Sequence, residues 1–207
     1  MDFFSGTRVE RDFVEAPSQM LEHWAWQPES LQLLSRHYKT GEPLPVDMIK
    51  QLARARHAND GAALMRQVVL ASLDQALHVA TKPEDLPTDI AKLYSEITKK
   101  YCNLEVTEGT CMPASFGHLL GGYDSQYYGY LWSEVFSFDM FHARFVPGGI
   151  LNGEVGREYR RCILEPGGSM DASDMLKKFL GRDPIPEPFL QARQATYGGE
   201  PYSSLPK

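Results

Sequence analysis

TDIAKLYSEITKKY, residues 88–101, settles the fold class. Its apolar residues Ile90, Leu93, Tyr94, Ile97 and Tyr101 recur at i, i+3, i+4 and i+7, the spacing that lines one face of an α-helix. Thr88 stands where the helix cap is expected. Working outward, residues 62–80 carry apolar side chains most of the way round, which predicts a deeply buried helix. Further upstream a helix starts near Pro45 and stops before Asn59-Asp60-Gly61, and a shorter one runs from Ser30, as its cap, to Gly41. Residues 12–26 place Phe13, Met20, Leu21 and Trp24 on one side, with Pro17 either in the first turn or at a kink. Downstream, residues 102–122 hold Gly109, Pro113, Gly117, Gly121 and Gly122 without periodicity and read as a long loop. An aromatic helix over 123–145 follows, closed by Pro147-Gly148-Gly149, and then two shorter helices over 154–162 and 171–180. Ser169 or Asp171 caps the last of these and Gly181 stops it. After Asp183 the composition turns to Pro, Gly and polar residues, so the last ~15 residues read as a loose tail. No strand alternation is persuasive. The class is all-α.

With 207 residues, 43% hydrophobic and 23% charged, the composition is that of an ordinary globular protein. A formal net charge of -6 without any basic run argues against nucleic acid or an anionic membrane as the main partner. No apolar stretch approaches the ~20 residues of a bilayer-spanning helix. The opening Met-Asp-Phe-Phe-Ser-Gly lacks the pattern of a signal peptide. The three widely spaced cysteines, Cys102, Cys111 and Cys162, signal neither a disulfide framework nor a cysteine-type metal site, and reduced thiols in the cytoplasm are expected.

Two stretches hold the residues for chemistry. Residues 8–15 set Glu10, Asp12 and Glu15 among Arg8 and Arg11, beside apolar Phe13 and Val14. A carboxylate next to a buried face requires a cation or metal partner, although a capped helix start with surface ion pairs explains the same residues. The second stretch, residues 116–130, carries His118, a Gly121-Gly122 hinge, and Tyr123, Tyr127 and Tyr130. On a helix these three phenols fall within ~60° of one another. Phenols so placed donate to a developing oxyanion; an aromatic core stripe accounts equally for the spacing.

Several blocks resemble the thimet oligopeptidase and neurolysin family. They are Phe4-Ser5-Gly6-Thr7, residues 10–19 (ERDFVEAPSQ), residues 112–118 (MPASFGH), residues 121–134 (GGYDSQYYGYLWSE), Pro166-Gly167-Gly168-Ser169 and residues 179–184 (FLGRDP). The resemblance covers most of the chain in one order. It implies a mostly helical, two-domain, channel-type zinc metalloendopeptidase acting on short peptides, of which this chain is the C-terminal part: residues 1–182 belong to the catalytic domain, with 183–207 a tail. It further implies Glu15 as the third Zn2+ ligand and His118 as a contact to the peptide backbone. Tyr130 is the implied oxyanion donor, Tyr123 assists, and Tyr127 lines a subsite. Gly121 and Gly122 let the loop move over substrate, and Arg11 is a specificity contact or a surface ion pair.

The chain also departs from that family. Among His23, His37, His57, His78, His118 and His142 no pair has the spacing of His-Glu-x-x-His, the motif that supplies two imidazole ligands. With only fourteen residues before Glu15, the chain is expected to start too late to include it. A lone Glu15 holds no zinc, so the isolated chain is expected to be inactive without the missing N-terminal portion. The alternative is a catalytically inactive helical module that binds peptides or regulates.

Overall fold

Helices supply every regular element in the computed structural model, which describes residues 2–198, with side chains for 3–193; no strand occurs among the described residues. The helices are α1 (Ala16–Glu22), α2 (Pro28–Leu34), α3 (Val46–Arg56), α4 (Asp60–His78), α5 (Ile90–Cys102), α6 (Gly129–Met140), α7 (Gly153–Tyr159), α8 (Ala172–Leu180) and α9 (Glu187–Gly198). They fall into two units. One contains the chain up to Ala58 together with the chain from Trp132 on; the other is Asn59–Leu131.

The Asn59–Leu131 unit is built on α4 packed against α5. Val69, Leu70 and Leu73 meet Ile97 of α5, and Phe116 and Tyr127 complete the cluster. Ile97, with partly buried Leu93 and Tyr94, faces inward, while Ile90 and Tyr101 at the ends of the stripe are exposed. Asp89, not Thr88, caps the helix: its carboxylate accepts the Lys92 N–H at 2.9 Å. Asn103 ends α5 in the left-handed conformation (φ 54°), which Asn tolerates better than most residues. Burial in α4 is confined to its middle, since Gly61, Ala62 and Ala63 are exposed. The stretch after α5 contains two short helical turns, Met112–Ser115 and Gly117–Leu120. Helix α6 begins at Gly129, six residues later than the aromatic pattern predicts. Residues 123–128 are turns, with Ser125 at φ 61°.

In the other unit, Phe13, Ala16 and Met20 bury against Met140, Phe141 and Phe145, and against Tyr159, Met175, Leu176 and Phe179. Burying each of these large side chains contributes about 2 kcal/mol. Pro17 lies in the first turn of α1, where its missing N–H costs nothing. α2 starts at Pro28, with Ser30 buried inside it and its end at Leu34, so Ser30 is not a cap and Gly41 is not a stop. α6 continues through a wider turn at Phe141–Phe145 to Val146–Gly148, and α7 through a similar turn at Arg160–Leu164. α8 ends on Gly181 as its pattern predicts.

After Asp183, residues 187–198 form α9 with Phe189 and Ala192 buried. Its approach is pinned by fully buried Asp139. That carboxylate accepts from both Arg182 Nη atoms (2.8 and 2.5 Å) and from the Ile185 N–H (2.9 Å). Composition weighs only the Pro and Gly content here and misses an ion pair closed across 43 residues. The remainder of the expected tail, 199–207, lies outside the described residues.

Candidate functional site

Glu15 occupies the N-terminal edge of α1, half-buried between buried Phe13 and Ala16. Its carbonyl accepts the Gln19 N–H at 3.0 Å and the Ser18 hydroxyl at 2.9 Å, and the same hydroxyl lies 3.3 Å from Glu15 Oε2. The segment leading to it is fastened at three points. A Glu10 carboxylate oxygen accepts the Ala172 N–H at 2.8 Å, capping α8 in place of Asp171, whose side chain makes no cap bond. The Ser133 hydroxyl donates to the Asp12 carbonyl at 2.7 Å. Gly168 lies so close that a Cβ there would stand 2.0 Å from the Arg8 carbonyl oxygen. Arg11 is half-buried in the same segment.

The second group of predicted residues lies within Asn59–Leu131. The argument from helical spacing does not hold, because Tyr123 and Tyr127 precede α6. The rings nevertheless meet. Tyr123 stacks on Tyr130 (centroids 5.2 Å, planes 18° apart), and Tyr127 lies 5.0 Å from Tyr130. The His118 ring sits 5.3, 5.1 and 5.6 Å from Tyr123, Tyr127 and Tyr130. Its Nε2 is 3.2 Å from the Tyr130 hydroxyl. Burial pushes the Tyr127 phenol above its ordinary pKa, partly offset by the Arg66 charge and a hydrogen bond with Gln67.

Gly121 and Gly122 form the turn between His118 and Tyr123. A Cβ on Gly121 would stand 2.8 Å from the Gly117 carbonyl oxygen, and Gly122 has φ 86°. These glycines are thus required by the turn itself, apart from any contact with substrate. Gly129 is buried at the first position of α6.

What bends residues 123–128 into place was not read from the sequence. Asp74, fully buried on α4, accepts the Ser125 N–H through Oδ1 and the Tyr127 N–H through Oδ2, each at 2.9 Å. The next residue, Gln75, donates from Nε2 to the Ser125 carbonyl at 2.8 Å. His78 Nδ1 lies 2.9 Å from Asp74 Oδ1 and 2.8 Å from the Asp74 carbonyl. Both neighbours are acceptors, so Nδ1 carries the proton. The signal available in the sequence was an acid inside the apolar run Val68–Leu77 with a histidine four residues on, since a carboxylate at a buried helix position requires donors.

Among the described residues no group of three His, Cys, Asp or Glu side chains is gathered to hold a metal ion. Zinc needs three or four protein ligands, so these residues do not by themselves fit a zinc ion. No described helix is long and apolar enough to cross a membrane.

The chain is 42% identical over 190 residues to "Thimet-like oligopeptidase" of Dictyostelium discoideum, covering 91% of this chain and 28% of that protein. It is 40% identical over 183 residues to "Saccharolysin" of Saccharomyces cerevisiae, covering 87% of this chain and 25% of that protein. To "Oligopeptidase A" of Escherichia coli it is 37% identical over 174 residues, covering 84% of this chain and 25% of that protein. The chain therefore spans about a quarter of the length of the curated relatives it matches. The sequence model of "Peptidase family M3" matches residues 1–195, nearly the whole chain, and the chain belongs to that family.

Proposed function

We propose that this chain serves a zinc metalloendopeptidase that hydrolyses short peptides, and that it supplies one zinc ligand, Glu15, and a tyrosine-lined substrate wall. The observation that carries this reading is the cluster of His118 with the three phenols, closed by the 3.2 Å approach of His118 Nε2 to the Tyr130 hydroxyl. Membership of Peptidase family M3 and the names of the relatives support the reaction class. Zinc, when bound, supplies Lewis acidity, with its other ligands coming from outside these residues.

This chain's own residues act on the peptide. Tyr130 donates its hydroxyl hydrogen to the oxyanion that develops from the scissile carbonyl, the interaction with the largest leverage in acyl transfer. Tyr123, stacked on Tyr130, fixes the angle of that phenol and contributes to substrate binding. His118 orients the Tyr130 hydroxyl and contacts the peptide backbone. Tyr127, whose phenol burial pushes above its ordinary pKa, lines a subsite. Gly121 and Gly122 give the turn its freedom to accommodate peptide, and Arg11 contributes to specificity. The setting is cytoplasmic.

The intact mass of the endogenous protein, captured through residues 179–184, tests the reading together with zinc content and cleavage of quenched fluorescent peptides. A species several times heavier than 23.4 kDa that cleaves the peptides, and that loses zinc on Glu15→Gln, is the expected result. A 23.4 kDa species that binds peptides without cleaving them favours the inactive peptide-binding or regulatory module instead.

A further inference from the structure

The tyrosine turn is held by a side chain from elsewhere in the fold, and this points to a positioning residue for the proposed reaction. Residues 123–128 make no helix, and Ser125 is at φ 61°, a conformation that is strained for a serine when nothing stabilises it. Both polar faces of the turn are gripped by consecutive residues of α4. Asp74 takes the N–H groups of Ser125 and Tyr127, one on each carboxylate oxygen, and Gln75 takes the Ser125 carbonyl. Asp74 is 0% exposed, and His78 Nδ1, hydrogen-bonded to the Asp74 carbonyl at 2.8 Å, stands 2.9 Å from its Oδ1. Its carboxylate is therefore held in one orientation by two N–H donors, one on each oxygen. The groups it holds lie between Tyr123 and Tyr130, whose rings stack.

We infer that Asp74 is the positioning residue of the tyrosine cluster: its carboxylate, flanked by His78 and Gln75, sets where the Tyr123, Tyr127 and Tyr130 phenols stand around His118. The carboxylate suits this task because it accepts two N–H groups at once without donating. An amide in its place turns an NH2 toward one of those N–H groups. The inference rests on the reading of the tyrosines as a substrate wall only for its catalytic consequence; the clamp itself stands on the geometry.

The test uses the 207-residue chain with Asp74→Asn and Gln75→Ala, the second keeping the buried acid in case the first fails to fold. Two signals are read by nuclear magnetic resonance: amide hydrogen exchange at Ser125 and Tyr127, and the ring-current-shifted imidazole protons of His118. Loss of a hydrogen bond to a charged group predicts exchange about ten- to a hundred-fold faster at those two amides in Asp74→Asn. The His118 signals move toward ordinary imidazole positions at the same time, while the α4 amides of Val69–Leu73 and the imidazole of His23 are unchanged. Gln75→Ala gives the same pattern at smaller amplitude. Unchanged His118 signals in both variants overturn the inference, as does exchange that rises equally throughout α4, which marks general loosening.

Peptide cleavage by the complete enzyme then separates the two readings. A fall in kcat with little change in KM, alongside the moved signals, supports a clamp serving catalysis. Undiminished kcat with the same moved signals leaves the clamp intact and refutes the catalytic assignment of the tyrosines.

Discussion

The Tyr130 hydroxyl lies 3.2 Å from His118 Nε2, while its ring packs against Tyr123 and Tyr127. Tyr130→Phe removes the donor and keeps the packing. In the peptide-cleaving enzyme this substitution should lower kcat by about 10²-fold with little change in KM; unaltered steady-state rates refute the donor role. A second residue-level prediction concerns acid. His23 is 3% exposed, stacked on Phe141 and edge-on to Phe138 at 4.6 Å each. Burial, helped by the charges of Arg56, His142 and Arg193, lowers its pKa from 6.5 to about 3. His142 falls to about 4 for the same first reason, opposed by Asp139. Folded-state values below the unfolded one mean that no penalty exists above pH 6.5. As pH drops from there toward about 3 to 4, the unfolded chain takes up protons that the folded chain refuses. Each histidine then removes about 1 kcal/mol of stability per pH unit. Urea titrations at pH 7, 6 and 5 should show this slope, reduced in His23→Gln; an equal slope in the variant excludes His23 as a source.

At the scale of elements, the close approach of residues 167–168 to the N-terminal segment carries the sharpest consequence. Besides the Gly168 contact, Gly167 has φ 53°, and a Cβ there would stand 2.4 Å from the Phe4 carbonyl oxygen. Gly168→Ala should therefore force residues 4–8 away and cost about 2–3 kcal/mol, visible as a lower Tm; a variant melting with the parent protein overturns the tight contact. Nothing in the run Pro166-Gly167-Gly168-Ser169 signals what this glycine pair touches, because backbone-to-backbone proximity over 160 residues leaves no periodic trace. The stripe of residues 88–101 was legible because its pattern is local. The start of α6 was not: Tyr123, Tyr127 and Tyr130 match helical spacing by arithmetic, while the bonds from Asp74 and Gln75 bend the same residues into turns.

For the whole molecule, the all-α class and the existence of most helices followed from apolar periodicity, and the family followed from ordered motif blocks. The division into units did not, since it depends on which distant segments pair, as Glu10 with Ala172 and Asp139 with Arg182 do. The same limit hid Asp74 and α9. Exposed Leu34 (76%), Tyr38 (84%) and Leu120 (96%) show apolar surface left open within each unit. The isolated chain should accordingly form concentration-dependent oligomers, measurable by sedimentation velocity, and should cleave no peptide. A monomer at every concentration, or measurable turnover by the chain alone, contradicts the corresponding half of that prediction.

Fifty-one residues separate the Ser125 amide from the carboxylate that holds it. The tyrosine cluster is therefore not portable as a peptide. A synthetic segment spanning residues 116–131 contains every ring and none of the acceptors that bend its backbone, and it should sample an open ensemble. Grafting the cluster onto another scaffold, as a designed oxyanion-binding surface, requires transplanting a helix with its acid as well as the loop.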